Sequence, residues 1–244
     1  MEPKLIRREP LGKGFHINVS DNHTFGTDAV VLSNFASARK KDRMVDLGTG
    51  CGIIPLIMLR DGLLSSAVGV DISGEAVSLA ERTSCELKID NFVLIESDLN
   101  DLKGKLEFGC HTLVTCNPPY KAPHAGLKNP NSVHAVARHE VACTLEDIVS
   151  VSAKLLQTSG RLCMCHRPER LCELMSLMSQ YGCEPKRLRL VCQRIGEEPW
   201  LVLVEGKKCA KKGLRIQPTL YIEQNGELSE EMKNIYGAYK EAYL

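Results

Sequence analysis

Short apolar runs rich in β-branched residues alternate with longer stretches of helical periodicity from about residue 43 to residue 204. This alternation is typical of parallel strands joined by crossover helices. It predicts seven strands, at 43–47, 67–71, 92–96, 112–116, 161–165, 188–192 and 201–204. The helices predicted between them lie at 52–59, 73–87, 145–156 and 167–181. We therefore expect a doubly wound, mostly parallel seven-stranded α/β sheet, with its ligands beyond the carboxyl ends of the strands.

Three segments lie outside this alternation: residues 1–40, residues 121–141 and a tail from about residue 207. A chain of 244 residues that is 43% hydrophobic suits one domain with short additions. We therefore expect an N-terminal extension (1–40), the α/β domain (41–206) and a basic tail (207–244) packed on that domain. The long loop at 121–141 is expected to be either functional or disordered.

Composition narrows the class of protein. No apolar run follows the charges at the N-terminus, so we predict no secretory signal, no membrane helix and a cytoplasmic location. The eleven cysteines show no C-x-x-C spacing, which predicts buried, reduced thiols and no metal site. A basic cluster in the C-terminal third either faces solvent or contacts phosphates. Its members are Lys186, Arg187, Arg189, Arg194, Lys207, Lys208, Lys211, Lys212 and Arg215.

A glycine-rich turn follows the first predicted strand of the sheet directly. It reads Asp46-Leu47-Gly48-Thr49-Gly50-Cys51-Gly52. The glycines allow a sharp turn and let a ligand approach main-chain atoms without meeting a β-carbon. Their G-x-G-x-G spacing differs from the G-x-G-x-x-G that binds a dinucleotide pyrophosphate. The turn therefore predicts a cofactor without phosphates, contacted by Gly48, Gly50 and Gly52.

Two further acids follow the next two strands. Asp71 ends the second strand about 20 residues after the last glycine, where a carboxylate can accept both ribose hydroxyls of a nucleoside, and Ile72 is expected to contact the same ligand. Asp98 follows the third strand and can accept a hydrogen bond from an adenine amino group. With Asp46 and the glycines, these acids resemble the cofactor motifs of Rossmann-like methyltransferases. That resemblance implies S-adenosyl-L-methionine, with Asp46 near its methionine amino group.

The tetrapeptide Asn117-Pro118-Pro119-Tyr120 follows the fourth strand. The prolines fix φ and remove two backbone donors, so the loop presents carbonyl groups. The amide oxygen of Asn117 and the carbonyl of Pro118 can then accept both hydrogens of an amino group, while Tyr120 stacks on a planar ring. We predict that Asn117, Pro118 and Tyr120 are catalytic and that Pro119 and Tyr120 contact the substrate. Asn117 is also expected to border the cofactor.

Such a site works mainly by placement, because S-adenosylmethionine is already a good methyl donor. Orientation alone can account for roughly 7–11 kcal/mol of a barrier. Accepting hydrogen bonds from the amine also favours the charge that builds on its nitrogen. No general base is predicted, since the methylated ammonium loses its proton readily. The motif resembles that of amino-methyltransferases acting on adenine, guanine or a glutamine amide.

Narrower segments resemble the bacterial tRNA1(Val) adenine-37 N6-methyltransferase family. They are F-G-T-D-A-V at 25–30, A-R-H-E at 137–140, L-V-L-V-E-G-K at 201–207, P-T-L-Y at 218–221 and I-Y-G at 235–237. The resemblance implies a Rossmann-like fold, a flipped adenine and a tRNA anticodon loop as substrate. It also implies that the N-terminal segment, with Thr27, covers the cofactor. Arg138, Lys207 and Lys208 are the further residues predicted to contact the substrate.

Other hypotheses share part of this pattern. A protein-glutamine N5-methyltransferase has the same tetrapeptide but resembles this chain less, because it carries an acidic helical N-terminal domain. A guanine N2-methyltransferase of ribosomal RNA usually has phenylalanine after the prolines. A catalytically idle RNA-binding module is a third alternative, which the intact Asn117 and Tyr120 oppose. Arg138, His139 and Glu140 either start a helix or contact the substrate, and Trp200 is expected to pack in the core.

Overall fold

The computed structural model of the protein describes residues 5–119 and 143–237. Its strands are β1 (Arg7–Gly12), β2 (Phe15–Val19), β3 (Asp42–Leu47), β4 (Leu64–Asp71), β5 (Phe92–Glu96), β6 (His111–Cys116), β7 (Leu156–His166), β8 (Cys183–Cys192), β9 (Pro199–Lys208), β10 (Arg215–Ile216), β11 (Leu220–Tyr221), β12 (Glu223–Gln224) and β13 (Glu227–Leu228). Its helices are α1 (Thr27–Phe35), α2 (Ile53–Arg60), α3 (Gly74–Leu87), α4 (Leu145–Leu155), α5 (Leu171–Gln180) and α6 (Glu230–Tyr236). Within these two ranges, every helix is too short or too polar to span a bilayer.

Nine of the described strands form one sheet. Its spatial order is β10-β8-β9-β7-β6-β3-β4-β5, and β11 also pairs with β8. Strands β7, β6, β3, β4 and β5 are parallel neighbours, whereas β9 runs antiparallel to both β7 and β8. All seven predicted strands and the four predicted helices are present, so the predicted fold class is confirmed. The two-residue strands β10 and β11 extend the sheet beyond the seven predicted strands.

The terminal segments pack into the same core as the sheet. Strands β1 and β2 form an antiparallel hairpin, from which Leu11 and Ile17 enter a hydrophobic cluster with α1 and α2. From the tail, Leu220 and Met232 join that cluster. Side chains of β3 alternate between this cluster and a second one formed with α4 and α5, because successive strand residues point to opposite faces. Helices and terminal segments therefore cover both faces of the sheet.

The cysteines only partly follow the prediction of burial. Cys85, Cys172 and Cys209 are exposed, so the prediction is wrong for these three thiols. Two of them lie on outward faces of α3 and α5, and Cys209 lies in the turn that follows β9. The buried thiols, which confirm the prediction, are Cys51, Cys116, Cys163, Cys165, Cys183 and Cys192.

A buried ionic cluster holds the end of α1 on the sheet. Arg161 of β7 pairs with Asp42 at 2.8 Å and donates to the carbonyl of Ala36 just beyond the helix. Arg187 of β8 pairs with Glu205 at 2.7 Å, and Arg161 also lies 3.4 Å from that carboxylate. Buried charges require such pairing, because their removal from water is costly. These contacts fix one end of α1, whose other end lies at the candidate site.

Asp46 is the most deeply buried acid of the parallel strands, with 1% of its surface exposed. Its Oδ1 accepts a hydrogen bond of 2.5 Å from Thr115 on β6, whereas its Oδ2 has no hydrogen-bond partner among the described residues. Burial raises the pKa of Asp46 to about 7, and the hydrogen bond from Thr115 opposes that rise. Asp46 therefore holds a proton in the folded chain at pH values where an exposed carboxyl is ionised.

This proton predicts a pH-dependent stability. The unfolded chain loses it near the usual pKa of 3.8, and the folded chain loses it near 7, so unfolding releases a proton between those values. The contribution of Asp46 to the free energy of unfolding should fall as pH rises through this window, by up to roughly 4 kcal/mol, since each pK unit corresponds to about 1.36 kcal/mol. Asp46→Asn keeps the acceptor for Thr115 and should remove this slope. Urea unfolding of both proteins between about pH 5 and pH 8 tests it, and parallel slopes would contradict the assignment.

Candidate active site

A cavity of about 680 Å³ opens at the carboxyl edge of the parallel strands. This volume lies in the range of small-molecule sites, roughly 300–1,000 Å³. Its wall is formed by residues at or just after the ends of β3, β4, β5, β6 and β7, together with residues from the start of α4, from the segment before α1 and from the first turn of α1. Parallel pairing explains the location. Leu47 of β3 lies opposite Val70 of β4 and Cys116 of β6, so the loops after these strands leave the sheet side by side.

The glycine turn has the backbone conformation that its sequence requires. Gly48 and Gly50 have φ values of 68° and 55°, which side chains with a β-carbon rarely adopt. A β-carbon built on either residue meets no heavy atom within 4 Å, so open space lies beside the main chain. Gly48 lines the cavity. Gly52 also has a positive φ, of 86°, and a β-carbon there would lie 3.2 Å from Ala80 and Phe92, so close packing requires glycine at this position.

Asp71 connects the turn to the cavity. Its Oδ2 accepts the N–H of Gly50 at 2.8 Å, and its Oδ1 accepts the N–H of Ser73 at 2.9 Å. Each carboxylate oxygen can accept more than one hydrogen bond. The side chain lines the cavity, although only 8% of the residue is exposed. Asp71 can therefore hold the glycine turn and accept hydroxyl groups of a ligand at the same time.

Ile72 and Asp98 border the same cavity. Ile72 is 44% exposed, which leaves an apolar side chain beside the carboxylate of Asp71. Asp98 caps the short 3₁₀ turn Leu99–Asp101 by accepting the N–H of Asn100 at 2.8 Å. An apolar side chain and an acceptor at neighbouring strand ends suit the ring and the amino group of an adenine.

Four residues predicted to bind the cofactor do not line this cavity, namely Thr27, Asp46, Gly50 and Gly52. Asp46 is buried near the end of β3, and its predicted contact with the methionine amino group stays a prediction. Thr27 lines a neighbouring cavity, and its hydroxyl forms a hydrogen bond of 2.9 Å with Tyr236. A sequence motif places Asp46 and Thr27 near the site, but it does not tell which side of the turn each residue faces.

Asn117 lies at the cavity wall directly after β6. Its Nδ2 donates to Oδ2 of Asp28 at 3.1 Å, and its Oδ1 accepts from Sγ of Cys165 at 3.1 Å. Pro118 and Pro119 line the same wall, Pro118 buried and Pro119 exposed. Tyr120 and Arg138 lie outside the described residues. The amide of Asn117 therefore stands beside the glycine turn, as the sequence predicts.

Several cavity residues were missed by the sequence interpretation. His23, Asp28, His166 and Arg170 line the cavity. His166 is buried at the end of β7, and its Nδ1 accepts the N–H of Arg167 at 2.8 Å. Burial, reinforced by the positive charge of Arg170, lowers the pKa of His166 to about 4, so this imidazole is neutral. Its position at the end of the predicted fifth strand is the signal that could have identified it.

Lys207 and Lys208 do not lie with the other predicted site residues. Strand β9 is antiparallel to β7, and Lys207 pairs with Arg161 whereas Val202 pairs with His166. The five residue steps from Val202 to Lys207 span roughly 17 Å. Lys208 donates to the carbonyl of Leu156 at 2.5 Å. Both lysines therefore lie toward the opposite edge of the sheet from the cavity.

Comparison with known proteins agrees with this arrangement. The chain is 26% identical over 187 residues to the tRNA1(Val) (adenine(37)-N6)-methyltransferase of Bacteroides fragilis (strain YCH46), covering 73% of this chain and 75% of the relative. It is 25% identical over 214 residues to the protein of the same name from Bacteroides thetaiotaomicron, covering 84% and 88%. Both relatives therefore align with most of the chain.

Solved structures share the fold. A predicted O-methyltransferase from Agrobacterium tumefaciens superposes with a TM-score of 0.67 at 19% identity, covering 87% of this chain and 97% of that one. Geranyl diphosphate C-methyltransferase from Streptomyces coelicolor, solved with S-adenosyl-L-homocysteine, has a TM-score of 0.54 at 16% identity, covering 74% and 79%. These likenesses confirm the predicted Rossmann-like fold. The family model of the methyltransferase small domain matches residues 20–180, and the chain therefore belongs to this family of methyltransferases.

Proposed function

We propose that this methyltransferase transfers the methyl group of S-adenosylmethionine to N6 of an adenine in RNA. The proposed RNA is a valine tRNA, with adenine 37 beside the anticodon as the target, and the proposed location is the cytoplasm. The observation that carries the proposal is the amide of Asn117 at the wall of a cavity that the glycine turn and Asp71 also line. The names of the relatives from Bacteroides support the choice of substrate.

The residues of the cavity fit S-adenosylmethionine. Open space beside Gly48 and Gly50 lets a ligand approach the main chain, and Asp71 retains acceptor capacity for ribose hydroxyls. Ile72 and Asp98 suit the adenine. When bound, the cofactor supplies a methyl group activated by a sulfonium. The carboxylates around the site favour that positive charge.

The chain's own residues hold and orient the acceptor amine. Oδ1 of Asn117 and the carbonyl of Pro118 accept its two hydrogens. The lone pair of the nitrogen then points away from both of these hydrogen bonds. Proline has no N–H, so the loop offers the amine acceptors at this point. As positive charge builds on nitrogen, both hydrogen bonds strengthen, and this differential stabilisation lowers the barrier. Tyr120 is proposed to stack on the base.

Two features favour RNA over a protein glutamine. Residues 5–35 form a hairpin and one helix that pack into the common core, so this part of the chain offers no separate domain for holding a protein partner. At the catalytic edge, Arg167 is exposed, and Arg170 lines the cavity while it forms a bidentate ion pair with Glu173. Guanidinium groups recognise phosphates well because of their planar array of donors. An adenine in a loop is already partly unstacked and costs little to swing into the site.

The cofactor assignment predicts that Asp71→Ala weakens binding of S-adenosylhomocysteine by at least about tenfold, because hydrogen bonds to a charged group are lost. The same variant should lose most of the rise in melting temperature that the ligand produces in the wild type. Isothermal calorimetry measures the affinity. Asn117→Ala is the matched control, since it should bind the cofactor normally. Equal affinity in Asp71→Ala and the wild type would remove Asp71 from the ribose site.

The proposed reaction predicts a specific product. Purified enzyme with S-adenosylmethionine should form N6-methyladenine in tRNA from a strain that lacks this protein, as measured by mass spectrometry of nucleosides. Asn117→Ala should lower turnover by orders of magnitude while keeping cofactor affinity, since it removes an interaction with the reacting amine. Methylated glutamine in a protein, with unmethylated tRNA, would assign the chain to the glutamine-modifying class. N6-methyladenine in a different RNA would correct only the substrate.

We further propose that Lys207 and Lys208 contact RNA phosphates far from the reacting base. Changing both to alanine should weaken tRNA binding. It should also make the slope of the logarithm of the binding constant against the logarithm of salt concentration shallower by roughly two, because two fewer counterions are released. Cofactor affinity and turnover at saturating RNA should stay unchanged, because neither lysine reaches the cavity. Filter binding at several salt concentrations measures the slope, and the melting temperature controls for folding. An unchanged slope would show that these lysines do not contact RNA phosphates.

A further inference from the structure

We propose that Asp28 is a positioning residue that fixes which end of the Asn117 amide faces the reacting amine. The inference rests on the proposed function, because it concerns the group that accepts the amine's hydrogens. Oδ2 of Asp28 accepts from Nδ2 of Asn117 at 3.1 Å, although the two residues lie 89 positions apart in the chain. Both side chains line the cavity.

The carboxylate of Asp28 is held from two further directions. Its Oδ1 accepts the N–H of Ala29 at 2.9 Å in the first turn of α1. A β-carbon at position 26 would lie 2.7 Å from the same oxygen, so Gly26 leaves the space that the carboxylate occupies. The end of α1 is fixed as well, since Arg161 donates to Ala36 and Arg187 donates to Phe35. Asp28 is therefore presented by a helix that is anchored at its far end.

The chemistry of the pair determines the orientation of the amide. An ionised carboxylate can only accept hydrogen bonds, so it selects the NH₂ end of Asn117. The oxygen of the amide then points away from Asp28, toward Cys165, whose thiol donates to it at 3.1 Å. A carbonyl oxygen has two lone pairs, so it can accept one hydrogen of the amine in addition to the thiol. A reversed amide would point its NH₂ group, which only donates, toward the amine. Two donors cannot form a hydrogen bond with each other, so this orientation could not hold the amine.

The decisive experiment exchanges the two functional groups. Asn117→Asp alone places two carboxylates at hydrogen-bonding distance, and their repulsion should remove most activity. The double variant Asp28→Asn with Asn117→Asp restores one donor and one acceptor with reversed polarity, and it still directs a carboxylate oxygen toward the amine. We expect kcat of the double variant to exceed that of Asn117→Asp by at least about tenfold. The activity of Asn117→Asp should rise as pH falls, because one proton between the carboxylates replaces the lost donor.

Asp28→Ala separates positioning from cofactor binding. It should lower kcat by at least about tenfold while the dissociation constant of S-adenosylhomocysteine changes little. Asp28→Asn should be milder, because an amide oxygen can still accept from Asn117. Unchanged cofactor affinity also shows that each variant is folded. The wild type is assayed on tRNA first, and the variants are then assayed with the acceptor that the wild type methylates. If the wild type does not methylate tRNA, that result counts against the proposed function alone. The double variant can then be compared with Asn117→Asp by using a glutamine-containing protein as the acceptor.

Two outcomes would overturn the proposal. Cofactor affinity in Asp28→Ala that falls as much as kcat would make Asp28 a cofactor ligand. A double variant no more active than Asn117→Asp, and with the same pH profile, would show that the hydrogen bond between positions 28 and 117 does not orient the acceptor. A purely structural contribution of Asp28 predicts neither the recovery in the double variant nor the pH dependence of the single one.

Discussion

The pairing of β3 between β4 and β6 is the constraint on which the site depends. In parallel strands, the carboxyl ends meet at one edge of the sheet. Leu47 lies opposite both Val70 and Cys116, so the three following loops start at the same level. The glycine turn, Asp71 and Asn117 are thereby brought together from distant parts of the chain. A shift of one residue in either register would turn these side chains to the other face of the sheet.

Helix α1 connects this edge to the ionic cluster inside the molecule. Its last residues lie over Arg161 and Arg187, and its first turn presents Asp28 to Asn117. A buried pair such as Arg161 and Asp42 contributes less net stability than its short distance suggests, because desolvation offsets the attraction. Its structural consequence is directional, since it determines where α1 ends on the sheet. The cluster therefore contributes to the geometry of an amide that it does not contact.

The strands and the glycine turn could be predicted because their signals are local. Strands buried on both faces read as continuous apolar runs, and a turn with positive φ requires glycine. The contact between Asp28 and Asn117 could not be predicted, because nothing in the sequence within either segment refers to the other. The distance of Lys207 from the cavity could not be predicted for a related reason: its charge is visible in the sequence, but the antiparallel direction of β9 is not. The roles of Tyr120 and Arg138 stay predictions, since both lie outside the described residues.

The strand order also sorts the charges of the catalytic edge. Acids follow β4 and β5, where Asp71 and Asp98 line the cavity, and Asp46 is buried at the end of β3. Arginines follow β7, with Arg167 exposed and Arg170 at the cavity wall. Asn117 follows β6, which lies between β3 and β7 in the sheet. In the proposed reaction, the acids lie on the side of the cationic methyl donor, and the arginines, of which Arg170 is paired with Glu173, lie on the side of the RNA. In this proposal the neutral amide of Asn117 holds the amine between the two sides, so the order of five parallel strands determines where the proposed substrates meet.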